Sequence, residues 1–423
     1  MILPTDWSFT TLEPHFAAPI DLEREVGAAL SAPLHSPRLT DLARPDQRIV
    51  IVFTDATRAC PDHILVPAIL RELEAAGVPD DHITLLCAIG THRASTHAEK
   101  IAKLGQAVVD RYRVIDHDPS HCVSPTEARN LGFLVAQRAP RNDTSLNPLL
   151  LKSDLIIATG VVEPHQYAGY SGGGKTVVIG CGDERTIEWT HGPQFLDQPG
   201  VRLGRIEGNP FQQFVRETAE AIGLRFVVNV VLDGDGRPVA VKAGHPIAVH
   251  DALITIARSG HEVSVDQQYD LIITKVDPPK DVNLYQASRA ATYIGLSVAP
   301  SIRDGGVIVI EARCPEGAGQ GLGERRFFEA LANVRDLRQL LAEFRAHGCR
   351  AGEQRAFMLA QVLLKYHVII VGSDCPEVVA ACHMIPATSL AAGLDRAREM
   401  VGATTNALYL PHPLHTVPIA ISR

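Results

Sequence analysis

Residues 48–93 read RIVIVFTDATRACPDHILVPAILRELEAAGVPDDHITLLCAIGTHR, and this stretch predicts the fold. The apolar run at 48–53 is typical of a buried strand. Apolar residues at helical spacing over 61–76, ended by Gly77, predict a helix, and the run at 82–88 predicts a second strand. A strand–helix–strand unit of this kind favours a parallel sheet with a right-handed crossover connection.

Polar residues follow the predicted strands at their carboxyl ends. The segment TDATR after the first strand contains Thr57 and Arg58, and the segment GTHR after the second contains His92. A third apolar run, at 155–158, is followed by the segment VEPH, which ends at His165. Because ligands of open α/β sheets bind beyond the carboxyl ends of the strands, we expect these three segments to meet at one edge.

The stretch that follows the third run is rich in glycine and in reactive side chains. It reads GVVEPHQYAGYSGGGKTVVIGCGDERTIEWTHGPQF from Gly160 to Phe195 and contains His165, Lys175 and His191. Glycines let a backbone approach a ligand closely and leave N–H groups free to bind anions. Two histidines and a lysine offer metal ligation, proton transfer or covalent attachment.

Residues 169–176 also match the phosphate-loop pattern GxxxxGK[ST]. A phosphate loop has to leave a strand directly and open a helix whose N-terminus faces the phosphates. Here Glu163 and Pro164 intervene after the strand, and residues 176–182 are β-branched and broken by glycine. A nucleotide-binding phosphotransferase therefore stands only as an alternative, as does a non-catalytic protein that binds a small anion.

The motifs EPHxxAGxSGGxK, at 163–175, and HG, at 191–192, resemble the central signature of the nickel-dependent lactate racemase family. The resemblance implies a nickel-pincer nucleotide, pyridinium-3-thioamide-5-thiocarboxylic acid mononucleotide, which carries Ni(II). Lys175 matches the lysine that forms a thioamide with this cofactor, and His191 matches the protein ligand of nickel. The resemblance also implies cofactor-maturation enzymes as partners.

Further site residues follow from the same resemblance. His92 and His165 match the two acid/base histidines. The predicted cofactor-binding residues are Lys175, Gly172, Gly173, Gly174 and Thr57. The predicted substrate-binding residues are Arg58, Tyr285, Gln286 and Arg289.

Arg289 departs from the lactate racemase pattern, which has lysine at this position. Arginine offers a planar fork that binds a carboxylate through two bonds, whereas lysine is a compact point charge. We therefore expect a substrate that is larger and more polar than lactate. Lactate, a longer 2-hydroxy acid, a hydroxy diacid and a sugar acid are all compatible with the altered basic position, and we expect lactate to be the poor substrate among them.

The implied reaction is racemisation or epimerisation at a carbinol carbon next to a carboxylate or a carbonyl. That carbon is too weakly acidic for deprotonation by imidazole near neutral pH. Transient hydride transfer to the cofactor avoids a carbanion, and two histidines provide proton transfer for the two enantiomers. Nickel tunes the pyridinium as an electron sink in a square-planar site that suits Ni(II).

Strands and helices also alternate in the second half of the chain. Apolar runs at 269–275, 305–310 and 367–372 are separated by helical patterns and predict a second α/β domain. We predict two Rossmann-like α/β domains with mainly parallel sheets and an interdomain active-site cleft. The N-terminal domain is predicted to span 1–265 and the C-terminal domain 266–404, while a tail, 405–423, returns to the N-terminal domain.

Composition narrows the class of protein. The 423 residues carry a net charge of −8, a pI of about 6.1 and a mean hydropathy of +0.05. This balance argues against a nucleic-acid or anionic-membrane partner, and no apolar run approaches the roughly 20 residues that span a bilayer. The eight cysteines include no CxxC pair and no secretory signal is recognisable, which favours reduced thiols in the cytoplasm.

Overall fold

The structure is a computed structural model that describes residues 8–124, 144–402 and 406–420, and two six-stranded sheets organise it. The N-terminal sheet has, in spatial order, the strands Arg113–Asp116, Ile83–Ala88, Ile49–Thr54, Leu155–Val161, Leu224–Leu232 and Pro238–Gly244. The C-terminal sheet has, in spatial order, Ser8–Thr11, Asn406–Leu410, Tyr269–Lys275, Ile302–Glu311, His367–Val371 and Ile385–Ala387. Neighbouring strands are parallel, except that Pro238–Gly244 runs antiparallel to Leu224–Leu232.

Two small sheets and a set of helices complete the described chain. The small sheets pair Glu262–Val265 with Val417–Ala420 and Pro164–His165 with Gly169–Tyr170. The helices of the first part are Leu22–Ser31, Leu39–Leu42, Asp62–Ala75, His97–Leu104, Gln106–Arg111, Pro148–Lys152, Lys175–Val178, Glu184–Thr190, Pro193–Leu196, Pro210–Ala221 and Pro246–His261, and Asp80–His82 is a 3-10 turn. Those of the second part are Leu284–Ala287, Arg289–Gly295, Leu322–Ala332, Leu337–His347, Glu353–Leu363, Pro376–Ala381 and Leu390–Val401.

The predicted strand–helix–strand unit is confirmed. Ile49–Thr54 lies between Ile83–Ala88 and Leu155–Val161, and all six of its residues are buried. Its alternate side chains pack into two different apolar clusters, with Phe53 on one face of the sheet and Val52 on the other. A parallel strand covered on both faces has to be apolar along its whole length, which explains the uninterrupted run.

The predicted fold class, α/β with mainly parallel sheets, is confirmed. The N-terminal strand Ser8–Thr11 nevertheless belongs to the C-terminal sheet. The tail, residues 405–423, was predicted to return to the N-terminal domain, but its first strand pairs within the C-terminal sheet. Asn406–Leu410 lies in the C-terminal sheet, where it pairs with Ser8–Thr11 on one side and with Tyr269–Lys275 on the other. Among the described residues of the tail, the strand Val417–Ala420 pairs with Glu262–Val265, at the end of the predicted N-terminal domain. The limits at 265 and 404 stay a prediction.

All eight cysteines are free thiols. In the ranges that the structure describes, no helix combines the length and apolar character needed to cross a membrane.

Candidate active site

His92 and Asp55 meet where two neighbouring parallel strands end. The His92 Nδ1 atom lies 2.6 Å from Asp55 Oδ2, and half of the histidine side chain is exposed. The Thr57 hydroxyl donates to the other oxygen of Asp55 at 2.7 Å. Burial opposes ionisation of Asp55, but the bonds from His92 and Thr57 lower its pKa overall. An ionised Asp55 accepts the Nδ1–H of His92 and leaves the His92 Nε2 lone pair free to take a proton.

A buried ion pair supports the loop that carries Asp55, Thr57 and Arg58. The Lys103 ammonium lies 2.7 Å from the fully buried Asp62 carboxylate, which also accepts from the Thr54 hydroxyl at 2.6 Å. Lys103 also donates to the Arg58 carbonyl at 3.2 Å. The loop is therefore fixed at its strand end, close enough to His165 and Lys175 for the Arg58 charge to lower the pKa of both.

His165 lies in a short hairpin, Pro164–His165 paired with Gly169–Tyr170. Its Nδ1 atom accepts the backbone N–H groups of Tyr167 and Ala168, each at 3.2 Å. Burial and the positive charges of Lys175 and Arg58 lower the pKa of His165 well below its usual range. The neutral ring therefore carries its proton on Nε2, so that His165 offers a hydrogen-bond donor where His92 offers an acceptor.

The glycines of the loop pack against the protein itself. A Cβ atom on Gly172 would lie 2.6 Å from Val162 Cγ2, and one on Gly174 would lie 2.5 Å from the Ala219 Cβ. The Gly173 N–H donates to Asn229 Oδ1 at 2.7 Å. The expectation of free N–H groups is wrong for Gly173, because a buried strand residue satisfies it. Contact of these glycines with a cofactor stays a prediction.

Lys175 follows these glycines at the start of the helix Lys175–Val178. Burial, with a smaller contribution from the Arg58 charge, lowers the pKa of Lys175 to about 7. A large fraction of its amine is therefore neutral near pH 7, and a neutral amine is the nucleophilic form. The packing of the loop thus buries an amine that is less basic than an exposed lysine.

His191 caps the carboxyl end of the helix Glu184–Thr190. Its Nδ1–H donates to the Ile187 carbonyl at 3.0 Å, and its ring packs edge-on against Tyr167 and Phe211. Burial and the charge of Lys175 lower the pKa of His191 to about 3. The ring is therefore neutral with an unprotonated Nε2, which is the form that binds a metal ion, and the carbonyl fixes its orientation.

Arg289 reaches the same region from the C-terminal half. Its guanidinium donates to the Tyr293 hydroxyl at 3.1 Å, and that hydroxyl donates to the Pro164 carbonyl at 3.2 Å. Burial opposes the charged form of Arg289, but Tyr293 and Glu163 raise its pKa overall. Burial and the charges of Arg289 and Arg58 lower the pKa of Lys280. The charges of Arg289, Arg58 and Lys280 therefore lie near one another.

The predicted substrate residues Tyr285 and Gln286 lie beside Arg289 in the helix Leu284–Ala287. The Tyr285 ring is half-buried and packs edge-on against Phe327, with the Arg355 guanidinium 5.3 Å above it. The Gln286 N–H donates to the Asn283 side chain, which caps the helix. The fold thus brings this pair to the interface between the two halves, and its contact with a substrate stays a prediction.

The phosphate-loop alternative does not fit this geometry. The hairpin at 164–170 separates the strand Leu155–Val161 from the lysine, and the helix that follows has only four residues. The Gly173 N–H already donates to the Asn229 side chain and is not free to bind a phosphate. The arrangement of strand, loop and helix N-terminus that cradles phosphates is therefore not formed.

Several residues of the site were not assigned from the sequence. Asp55 orients His92, Lys280 adds charge to the cleft, and Asn229 holds the glycine loop. Asn229 had a signal in the sequence, because it is the one polar residue in the apolar run FVVNVVL at 226–232. Asp55 had a weaker signal, its place directly after a strand.

These features define a two-domain α/β enzyme whose site is built from strand ends and a glycine-rich loop. Comparison with known proteins agrees with this class. Residues 1–204 match the family profile described as the lactate racemase N-terminal domain, and residues 265–417 match the lactate racemase C-terminal domain. The chain belongs to the lactate racemase family.

Individual relatives support the same assignment. Lactate racemase of Lactiplantibacillus plantarum is 30% identical over 400 residues, covering 93% of this chain and 90% of the relative. Lactate racemase of Thermoanaerobacterium thermosaccharolyticum is 29% identical over 387 residues, 91% and 88% of the two chains.

Solved structures show the same fold. The lactate racemase apoprotein from T. thermosaccharolyticum superimposes with a TM-score of 0.85 at 28% identity and covers 99% of this chain and 96% of its own. A Thermotoga maritima protein, at 17% identity and a TM-score of 0.66, covers 94% and 98% and shows the fold alone.

Proposed function

We propose that the protein is a racemase or epimerase of a 2-hydroxy acid or a related polar hydroxy compound, dependent on a nickel-pincer nucleotide. The observation that supports this most is that Lys175 lies near enough to His191 for its charge to act on the imidazole. One presents an amine with a pKa of about 7, and the other presents a neutral imidazole whose Nε2 is free. Such a pair suits covalent attachment of an organic group next to a metal ligand.

The residues present fit this cofactor. Lys175 would form the thioamide and His191 would ligate Ni(II). Among the residues that the structure describes, no three His, Cys, Asp or Glu side chains form a metal cluster, so a metal held by His191 needs further ligands from another source. When bound, the cofactor supplies an acceptor that takes the hydrogen of the carbinol carbon as hydride and returns it. Cofactor-maturation enzymes would have to provide it.

The two histidines handle the proton of the substrate hydroxyl. His92 accepts it at Nε2, because Asp55 holds the other nitrogen as an N–H donor. His165 is neutral and donates a hydrogen bond, not its proton, from Nε2 to the same oxygen, because its Nδ1 accepts two backbone N–H groups. For His165 to act as the base for the opposite enantiomer, its ring proton has to sit on Nδ1, which requires the N–H groups of Tyr167 and Ala168 to move away from that atom. In the free protein the two histidines therefore carry their ring protons on different nitrogens, His92 on Nδ1 and His165 on Nε2.

The positive charges of the cleft suit an anionic substrate. Arg58 comes from a strand end of the N-terminal half, and Arg289 and Lys280 come from the C-terminal half. The partner of Arg289 is a neutral hydroxyl, and no carboxylate of the described residues lies within ion-pair distance of it. The guanidinium fork is thus available for the carboxylate of a hydroxy acid.

The test of this function is interconversion of enantiomers or epimers by protein made together with the maturation enzymes. We expect single isomers of larger, more polar 2-hydroxy acids to be converted faster than lactate. In Arg289→Lys, the ratio of kcat/KM values should shift toward lactate by about 10-fold or more, because specificity is differential transition-state binding. Chiral chromatography measures both rates.

A matched control is Arg303→Lys, since Arg303 pairs with Asp270 at the surface of the C-terminal sheet. It should leave the ratio unchanged at equal cofactor occupancy. A wild-type enzyme that prefers lactate would contradict the inference from Arg289. Failure of every hydroxy acid in the fully loaded protein would contradict the proposed function.

A further inference from the structure

Three side chains of the C-terminal half hold the backbone turn on both sides of His165. The Tyr293 hydroxyl donates to the carbonyl of Pro164 at 3.2 Å. Gln166, which is only 7% exposed, accepts from the Thr292 hydroxyl at 3.1 Å and from Arg355 Nη1 at 3.2 Å. The position of His165 therefore depends on contacts that exist only when the two halves are together.

Arg355 differs from the other two because it is charged. It is 4% exposed, and its second terminal nitrogen donates to the Tyr285 carbonyl at 3.0 Å. Both of its acceptors are neutral, its Nε is buried without a partner, and no carboxylate of the described residues forms an ion pair with it. Burial lowers the pKa of Arg355. Besides these bonds the guanidinium has, among the described residues, only the face of the Tyr285 ring, 5.3 Å away. A buried cation without a counter-ion is unfavourable for stability, so a role other than stabilisation has to account for it.

The shape of the guanidinium supplies that reason. Its two terminal nitrogens reach acceptors on two different segments, the Gln166 side chain next to His165 and the backbone of Tyr285. A lysine has a single ammonium on a flexible stem and cannot span both in a fixed plane. Arg355 thus joins the acid/base turn of one half to the substrate helix of the other.

We propose that Arg355 is a positioning residue that sets His165 and Tyr285 relative to each other across the contact between the two halves. It acts through Gln166 and does not itself touch the reacting atoms. The proposal rests on the proposed function for its catalytic consequence, but the contacts to Gln166 are a property of the chain alone.

The variant Arg355→Met separates positioning from a merely structural role. Methionine has a similar length and no charge, so removal of the unpaired cation should leave Tm unchanged or raise it. In loaded enzyme we expect kcat to fall about 10-fold to 100-fold, because small displacements of a reacting group have effects of this size. KM should change less than kcat. Gln166→Leu should act similarly, and the double variant should be no worse than either alone.

A second readout needs no cofactor. Amide hydrogen exchange of the segment 163–170 should become several-fold faster in Arg355→Met, while exchange in the two large sheets stays unchanged. The matched control is Arg345→Met, which removes an interdomain ion pair with Asp197 away from the turn. It should alter neither kcat nor exchange at 163–170.

Two results would overturn the proposal. One is a large fall in Tm with faster exchange throughout the chain, which would show that Arg355 stabilises the whole fold and does not specifically position the turn. The other is unchanged exchange at 163–170, which would show that the turn does not depend on Arg355. Because exchange is measured on the chain without cofactor, it decides this point even if no hydroxy acid proves to be a substrate.

Discussion

Lys175→Met is expected to abolish the covalent cofactor adduct completely. Wild-type protein made with the maturation enzymes should carry the added mass on Lys175, because its amine, with a pKa of about 7, is the nucleophile that forms the thioamide. Methionine fills the same space without an amine. Intact-mass and peptide mass spectrometry measure the adduct and its position.

A second lysine of the cleft provides the matched control. Lys280 also has a lowered pKa, caused by burial and the charges of Arg289 and Arg58, yet no attachment is expected there. Lys280→Met should therefore keep the full adduct. An adduct that persists in Lys175→Met, or that maps to Lys280 in the wild type, would contradict the assignment of Lys175.

His92→Gln should lower interconversion at least about 100-fold in both directions, the usual share of general acid–base catalysis. Asp55→Asn should lower the rate by the same order, although Asp55 acts through His92 and does not itself contact the substrate. An asparagine amide would donate to His92 Nδ1 and place the ring proton on Nε2, which removes the base. Cofactor loading should stay normal in both variants, and chiral chromatography of loaded protein gives the rates.

The pair His121–Asp118 is a suitable control because it has the same chemistry at the surface, with 2.7 Å between Nδ1 and Oδ2. His121→Gln should leave the rates unchanged. The double variant Asp55→Asn/His92→Gln should be no slower than His92→Gln alone, since both changes remove one function. His165→Ala should also cost at least about 100-fold, because each turnover uses both histidines. Near-normal rates in any of these site variants would exclude that residue from proton transfer.

Much of the fold could be predicted because its signals are local. The run at 48–53 is apolar throughout since both faces of that strand are covered, and the helix Asp62–Ala75 has regular apolar spacing. Strand ends of a parallel sheet meet at one edge, and this rule alone placed His92 near Thr57. The structure then adds that Asp55 connects them through bonds to both residues.

Contacts between distant parts of the chain could not be predicted. Ser8–Thr11 pairs with Asn406–Leu410, and Arg355 bonds to Gln166 across 189 positions. No periodicity within either segment indicates its partner, because such pairings depend on how the two halves pack. Packing gives a second reason for glycine at 172 and 174, since a Cβ there would clash with neighbouring side chains, and this reason also could not be read from the sequence.

The most direct test of the central claim is the fate of the hydrogen on the carbinol carbon. A single enantiomer of a substrate deuterated at that carbon is incubated with loaded enzyme in ordinary water, and the product enantiomer is analysed by mass spectrometry. Hydride transfer within the site predicts that the product keeps its deuterium, because the hydrogen never exchanges with solvent while the histidines handle only the hydroxyl proton. Replacement of the deuterium by solvent hydrogen would show deprotonation at carbon and contradict the proposed reaction.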